Sequence, residues 1–413
     1  MDYQIKLEFN TRPSAIMHLD LNSCFATVEQ QANPLLRHKP IAVAAYDTPN
    51  GCIIAPSVEA KSLGIKVGMR VKDAKIICPK LIILQPDAEK YREVHCRFRE
   101  LLSVYSPKIT PKSIDEFVLD LSGTPAFRKG LLIVAQEIKE RVRSEIGEYL
   151  TISVGLGPNR FLAKTASNLH KPDGLDEINK ANFLDIYDQL SLTDLTGIDR
   201  QNAIRLNSVG IYTVRDFYQA DLRMLKAAFK SILGYYWFLR LRGWEIDDIE
   251  WGTKSFGHSY SLPRFLTKED ELAPILSKLV EKVGFRMRQS GFQAQGVHLA
   301  VLFQNHEYYH QGHQLPQAIF SSQDIYRVAY RLLRASPYKL PVRNLAVSCF
   351  SLSPRQTLQL ELFQNTLRKD SLAKAIDDIN ERWGNFVITP ATMLGSSGHV
   401  HDRISFGNVR GLP

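Results

Sequence analysis

Three acidic residues in two short apolar segments have the chemistry of a metal site. Asp20 ends the segment SAIMHLD (14–20), and Asp115 and Glu116 are adjacent within SIDEFVLDL (113–121). Carboxylate oxygens are the ligands that hard divalent cations such as Mg²⁺ prefer, and rigid strands position such ligands well. Three acids from two neighbouring strands would supply one site. Without further context, the simpler interpretation is that they are solvated acids at strand ends.

The geometry of a β-strand limits how these acids can share a site. Successive side chains of a strand point to opposite faces of the sheet. Asp115 and Glu116 can therefore reach one site only where the strand ends, twists or bulges. Asp20 must also lie on the same side of the sheet as this pair.

The composition of the 413-residue chain is that of a globular protein, with 44% hydrophobic and 23% charged residues. No apolar run approaches the roughly 20 residues of a membrane helix, and the polar start lacks a signal-peptide core. We therefore expect a cytoplasmic protein with no membrane segment. The five cysteines form no C-x-x-C pair, which argues against a zinc ribbon. The net charge of +9 favours binding to polyanions such as nucleic acid.

The pattern of predicted elements changes along the chain. The first 175 residues alternate strand-like runs with amphipathic helices, and residues 179–245 are nearly all helical. A charged, glycine-containing segment (246–255) separates them from residues 256–355, which combine strands with two long helices. This pattern predicts an α+β protein of several domains.

Four segments occur in one order and spacing: HLDLNSCFATVEQQANP (18–34), GCIIAPSVEAKSLGIKVGM (51–69), SIDEFVLDLSG (113–123) and VGLGPNRFLAKTASNLHKPDG (154–174). Together they resemble the motifs of the Y-family, or translesion, DNA polymerases. The resemblance extends over most of the chain, from about residue 14 to about residue 383. It has features of both the polymerase IV branch and the polymerase V catalytic subunit.

The resemblance implies an activity and the residues that carry it. It implies a low-fidelity, template-directed polymerase of DNA repair and the SOS response, which adds deoxynucleotides to a primer with two Mg²⁺ ions. Asp20, Asp115 and the backbone carbonyl of Leu21 match metal ligands. Glu116 matches a metal ligand that is also the catalytic glutamate.

The same resemblance implies three substrate contacts. Phe25 matches a steric gate, an aromatic ring that fills the place of a ribose 2′-hydroxyl. Lys171 matches the lysine that reaches the triphosphate, where an ammonium group pairs with phosphate. Lys61 stands where arginine is usual, so it keeps the charge without the bidentate fork. Val58 stands where tyrosine is usual and cannot donate a hydrogen bond to a phosphate.

Two segments are predicted to hold DNA. Residues 192–214 resemble a helix-hairpin-helix, with Asp199 in place of its usual second glycine. Arg327, Arg331 and Arg334 are spaced to share one helical face, which would lie on phosphates or else be solvated.

QLELF (359–363) resembles the sliding-clamp peptide of bacterial polymerases. Its predicted contacts are Gln359, Leu360, Leu362 and Phe363, of which the last two would fill an apolar groove. The alternative is a segment that packs in the core.

Two other patterns are not interpreted as ligand sites. Gly155 and Gly157 are interpreted as a tight turn, because no G-K-[ST] follows them. His306, His310 and His313 lie between two predicted strands with no suitably spaced acid or cysteine, so we expect no metal there.

The predicted architecture is a right-hand polymerase, expected to be a monomer with primer-template DNA, deoxynucleoside triphosphates and a sliding clamp as partners. Its parts are a βαββαβ palm (14–23 and 87–178), small fingers (24–86), a helical thumb (179–245), a linker (246–255), an α/β little finger (256–355) and a C-terminal tail (356–413). Two other functions remain open: a non-catalytic DNA-binding accessory on this fold, and a nucleotide cyclase, which the long basic C-terminal half disfavours.

Overall fold

A computed structural model describes residues 7–248, 252–336, 339–355, 366–384, 386–396 and 398–400. They form two compact units, unit 1 within residues 7–248 and unit 2 within 252–400. None of the helices described is both long and apolar enough to cross a bilayer.

Unit 1 combines strands with short helices. Its described strands are β1 (Ile16–Leu21), β2 (Ile41–Ala44), β3 (Ile53–Pro56), β4 (Ile82–Leu84), β5 (Ile109–Pro111), β6 (Glu116–Asp120), β7 (Ile152–Gly157) and β8 (Leu175–Glu177). Its described helices are α1 (Cys24–Ala32), α2 (Val58–Ser62), α3 (Val71–Ile77), α4 (Ala88–Ser103), α5 (Pro125–Lys129), α6 (Leu131–Arg141), α7 (Arg160–Ser167), α8 (Phe183–Gln189), α9 (Arg200–Asn207), α10 (Val214–Gln219), α11 (Leu222–Phe229) and α12 (Leu233–Arg240).

The five-stranded sheet of unit 1 has the order β5-β6-β1-β7-β8. Its central strand, β1, is antiparallel to both β6 and β7. The succession β1, α4, β5, β6, α6, β7 gives the predicted βαββαβ pattern. Strands β3-β2-β4 form a second, three-stranded sheet, and the helices from α8 to α12 enclose a core of their own.

The two faces of β1 have different environments, because side chains alternate along a strand. Met17, Leu19 and Leu21 enter the main core of unit 1. On the opposite face, Ile16 packs with Ala163 of α7. His18 and Asp20 share the parity of Ile16, so β1 presents them on the side of the sheet where α7 lies.

Unit 2 is an antiparallel sheet with helices. Its described elements are β9 (Ser255–Leu266), α13 (Glu269–Gln289), β10 (Phe292–Phe303), β11 (Tyr308–Ile319), α14 (Ser322–Arg334), β12 (Val342–Pro354) and α15 (Thr366–Trp383). The strand order is β11-β10-β12-β9, and α13 and α14 contribute to one core with the sheet.

Part of the segment predicted as a C-terminal tail packs within unit 2. The buried guanidinium of Arg288 on α13 donates two hydrogen bonds to the Asp377 carboxylate on α15, at 2.7 and 2.6 Å. Lys278 donates to the backbone carbonyls of Ser396 and His399, at 3.2 and 2.6 Å. These contacts attach both α15 and the residues that follow it to α13.

Candidate active site

Asp20 and Glu116 lie directly opposite each other on paired strands. The antiparallel register of β1 and β6 matches these two residues, and opposite residues of an antiparallel pair project from the same face. Asp115 precedes the first residue of β6, and its carbonyl accepts a hydrogen bond from the Leu21 amide at 3.0 Å. Because the strand begins at Glu116, the alternation rule does not separate the two neighbouring acids.

One group of possible ligand atoms, found among the described residues, differs from the predicted triad. His18, Asp20 and Glu116 each offer an atom within 4.8 Å of the others, and Asp115 is not part of this group. The Asp115 carboxylate nevertheless interacts electrostatically with both Asp20 and Glu116. Asp20, Asp115 and Glu116 bring carboxylate oxygens together, and these are the ligands that a hard divalent cation prefers. The residues present therefore fit a divalent metal ion.

The two adjacent acids titrate in opposite directions. Burial, reinforced by the charges of Asp20 and Glu116, raises the pKa of Asp115 to about 6, against a hydrogen bond from Ser113. Burial also acts to raise the pKa of Glu116, but the contact with His18, 3.5 Å away, and the ion pair with Lys164 outweigh it and lower the pKa to about 2. Burial lowers the pKa of His18, which favours a neutral ring.

Lysine side chains surround the carboxylates. The ammonium of Lys171 lies 2.6 Å from Asp20 Oδ2. Lys164, on α7, lies 2.5 Å from Glu116 Oε1 and 3.5 Å from Asp20 Oδ2. Burial and repulsion from Lys171 lower the pKa of Lys61, on α2. Lys164 and His18 were not predicted from the sequence.

Helix α7 lies against the sheet because two glycines allow it. A Cβ at Gly155 would be 2.0 Å from the carbonyl oxygen of Ala163, and one at Gly157 would be 2.8 Å from the Ala163 amide. Both glycines belong to β7, so their interpretation as a tight turn is wrong. Their role is steric: they bring α7, and with it Lys164, close to the strands.

Phe25 is fully buried in the first turn of α1. Its ring stacks on that of Tyr91, with centroids 4.2 Å apart and an interplanar angle of 9°. The Tyr91 hydroxyl donates to Glu29 at 2.9 Å. The ring is therefore fixed in the core, five residues after Asp20.

The predicted hairpin contains one α-helix, α9, preceded by a short 3₁₀ turn at Leu192–Asp194. The Asp199 carboxylate accepts a hydrogen bond from the Asn202 amide at 2.8 Å. A carboxylate thus occupies the helix start that a phosphate would otherwise use.

The contacts predicted for the C-terminal half are the arginines of α14 and the QLELF motif. Arg327, Arg331 and Arg334 lie on α14, where Arg327 pairs with Asp324 at 3.3 Å and Arg334 with Glu269 at 3.5 Å. The QLELF motif (359–363) lies outside the described residues.

The sequence and structure match known proteins over most of the chain. Residues 19–168 match the model of the impB/mucB/samB family, and residues 253–362 match that of its C-terminal domain. The chain is 31% identical to the DNA polymerase IV of Pelotomaculum thermopropionicum, over 94% of this chain and 97% of the relative. It is 32% identical to that of Moorella thermoacetica, over 94% and 98%.

Solved structures give the same relationship. A Y-family DNA polymerase chimera superposes with a TM-score of 0.71 and 25% identity, over 81% of this chain and 98% of the chimera. The insertion ternary complex of Dbh DNA polymerase has a TM-score of 0.55 and 24% identity over the same shares, and supports the fold alone.

Proposed function

The chain belongs to the impB/mucB/samB family of Y-family DNA polymerases, and we propose that Asp20, Asp115 and Glu116 form its metal-binding active site. It is a DNA-directed DNA polymerase of translesion synthesis and repair. A non-catalytic accessory role is not favoured. A cytoplasmic location and a monomeric state remain predictions.

The observation that carries the proposed site is the cross-strand pair of Asp20 and Glu116, with Asp115 beside it. Y-family polymerases use divalent metal ions, and we propose two Mg²⁺ ions held by the three carboxylates and the Leu21 carbonyl. When bound, such ions neutralise triphosphate charge and activate the primer hydroxyl. Glu116 is the proposed catalytic carboxylate.

The remaining residues of the site bind and orient the nucleotide. Lys171 and Lys61 provide ammonium groups for the triphosphate, and Lys164 adds a third that the family resemblance did not suggest. Phe25 provides a rigid ring against the sugar. Template pairing selects the base, so the protein's own contribution is positioning and charge neutralisation.

The proposed DNA contacts extend beyond the site. Primer-template DNA and deoxynucleoside triphosphates are the proposed substrates, as a DNA-directed DNA polymerase requires. The arginines of α14 are proposed to contact phosphates, and Arg331→Ala should then make the negative slope of log affinity against log salt shallower by about one. An unchanged slope would remove Arg331 from the interface. A sliding clamp is proposed to bind QLELF (359–363).

The test of the site is primer extension with Mg²⁺ on undamaged and abasic templates. Asp115→Ala and Glu116→Ala should abolish extension on both templates, with DNA binding retained in a gel shift. Asp120→Asn is the matched control, since Asp120 ends the same strand and pairs with Lys108 at 3.2 Å. Extension that survives in Asp115→Ala would refute the proposed site.

A further inference from the structure

We propose that Asn22 is a positioning residue, which holds the loop of residues 171–174 so that Lys171 points at Asp20. The inference rests on the proposed function, in which Lys171 binds the triphosphate. Asn22 follows the end of β1 by one residue and is buried. The family resemblance gave it no role.

The Asn22 side chain is hydrogen-bonded to three residues, two in or just before β7 and one in the 171–174 loop. Its amide nitrogen donates to Ser153 Oγ on β7 at 2.8 Å. Its carbonyl oxygen accepts from the Thr151 hydroxyl at 3.1 Å and from the backbone amide of Asp173 at 2.8 Å. The amide group thus uses both its donor and acceptor sides to connect β1, β7 and the 171–174 loop.

The Asn22 backbone is fixed as well. Its amide donates to the Thr151 carbonyl at 2.9 Å, and its carbonyl accepts from the Thr27 hydroxyl on α1 at 2.6 Å. A rigid residue is a suitable anchor, because a hydrogen bond from it transmits a fixed position to the loop.

The loop is held from its other side by α6. The Lys139 ammonium lies 3.0 Å from the Asp173 carboxylate and donates to the Gly174 carbonyl at 3.2 Å. Arg143 also pairs with the Asp173 carboxylate. Asp173 has a left-handed backbone, with φ of +62°, which is unfavourable for a non-glycine residue unless neighbours maintain it. Asn22 and Lys139 supply those restraints.

The restrained loop determines where the Lys171 ammonium points. A lysine side chain is long and flexible, so its ammonium reaches one place only when its backbone is fixed. Lys171 lies two residues before Asp173 in the same loop, and its Nζ lies 2.6 Å from Asp20 Oδ2. Loss of the Asn22 bonds would leave the ammonium charged but poorly directed, which weakens nucleotide binding more than it slows the chemical step.

The experiment measures kcat and KM for the incoming deoxynucleotide in primer extension by the full-length protein. Asn22→Leu keeps the branched shape of the side chain and removes every side-chain hydrogen bond. It should raise KM by roughly tenfold, the loss expected for one charge-assisted hydrogen bond, with a smaller change in kcat. Asn22→Asp keeps the acceptor for Asp173 and should restore most of the loss. Asn10→Leu changes an equally buried asparagine that bonds Gly243 instead, and should leave KM unchanged.

A double substitution separates positioning from general damage. In a Lys171→Met background, Asn22→Leu should raise KM little further, because both changes act through the same ammonium. Fully additive effects, or an unchanged KM in a folded Asn22→Leu protein, would overturn the inference. If Asn22→Leu does not fold, Lys139→Met can be used instead, because it loosens the loop from the side of α6. Lys139→Met should also raise KM, and an unchanged KM in that variant would count against the inference. An unchanged KM in Lys171→Met alone would instead refute the proposed triphosphate contact.

Discussion

At the residue scale, the site contrasts two adjacent acids in different environments. Burial raises the pKa of Asp115 to about 6, and the charges of Asp20 and Glu116 add to this effect, so its carboxylate is unfavourable in the folded protein. Glu116 contacts Lys164 and His18, so its carboxylate is favourable, with a pKa of about 2. In this cation-binding site the Asp115 carboxylate is therefore destabilised, and the Glu116 carboxylate is already paired with its neighbours.

This contrast predicts that substitutions of Asp115 and Glu116 change the stability of the protein in opposite directions. The measurement is made with a chelator present, so that no divalent ion is bound. Ionisation of Asp115 costs stability as pH rises from about 3.8, its unfolded value, to about 6. Asp115→Asn should therefore stabilise the protein at pH 7.5 by about 1–3 kcal/mol, and the gain should shrink as pH falls toward 4. Urea unfolding at several pH values measures both effects.

Glu116→Gln should do the reverse. The charged Glu116 contributes stability above about pH 4.5, its unfolded value, which is lost as pH falls toward 2. Its neutral replacement should therefore destabilise the protein at pH 7.5 by about 1–3 kcal/mol. If the two variants shift the urea midpoint in the same direction, the proposed charge distribution is incorrect.

Phe25 allows a second prediction at this scale. A steric gate must not move when a ribonucleotide enters, and stacking on Tyr91 holds the Phe25 ring in one orientation. Phe25→Leu should lower the preference for deoxyribonucleotides by at least about tenfold, which is about 1.4 kcal/mol of lost discrimination. The ratio of kcat/KM for the two sugars measures this preference.

Phe98→Leu is the control for the gate. It makes the same change in the same core cluster, where Phe98 packs edge-on against Phe117. The sugar preference should be unaffected. Equal losses in both variants would mean that a loosened core, and not the ring at position 25, relaxes selection.

Sequence motifs suggested the acids, the gate and Lys171, but not Lys164 or His18. A signal for His18 was present, because it stands two residues before Asp20 on one strand and so shares its face. Lys164 had a weaker signal: α7 buries six of its other seven residues, so a lysine there needs a charged partner. That partner is known only once α7 lies against β1 and β6.

At the element scale, the approach of α7 to β7 decides where Lys164 lies. Gly155→Ala would put a Cβ 2.0 Å from the Ala163 carbonyl oxygen and 2.2 Å from the Ser167 amide. Both are backbone atoms, so the helix itself must move. We expect a stability loss of about 3 kcal/mol and loss of primer extension.

The melting temperature and the extension rate test this prediction together. Gly252→Ala is the control, because no described residue lies within 4 Å of its added Cβ, and it should change neither quantity. A Gly155→Ala protein with the melting temperature of the parent would show that α7 is not held by this contact.

Strand β11 shows where sequence patterns fail. Its residues Tyr308–Ile319 are mostly polar and exposed, because it is an edge strand of the four-stranded sheet. The alternation of apolar and polar residues that identifies a half-buried strand is therefore weak. His310 and His313, which we predicted to lie between strands, belong to it. Strand β10, by contrast, contains the apolar run VHLAVLF (297–303), which is the kind of signal that β11 lacks.

At the scale of the whole molecule, the order and spacing of four motifs predicted the Y-family polymerase correctly, and the family matches confirm it. The α+β fold class is confirmed as well. Such motifs do not indicate which surfaces of distant elements pack together. The packing of α15 onto α13 depends on a pairing of Arg288 with Asp377, 89 residues apart, which no local pattern indicates.

The proposed clamp binding belongs to the scale of the whole molecule, because it would attach the polymerase to DNA at a place other than the active site. Leu362→Ala with Phe363→Ala removes the two apolar anchors, so capture by an immobilised bacterial sliding clamp should be lost. Distributive primer extension without the clamp should be unchanged. Leu372→Ala with Ile379→Ala is the matched control, since both side chains are apolar and exposed on α15. If that control abolishes capture while the QLELF variant is retained on the clamp, α15 and not QLELF is the anchor.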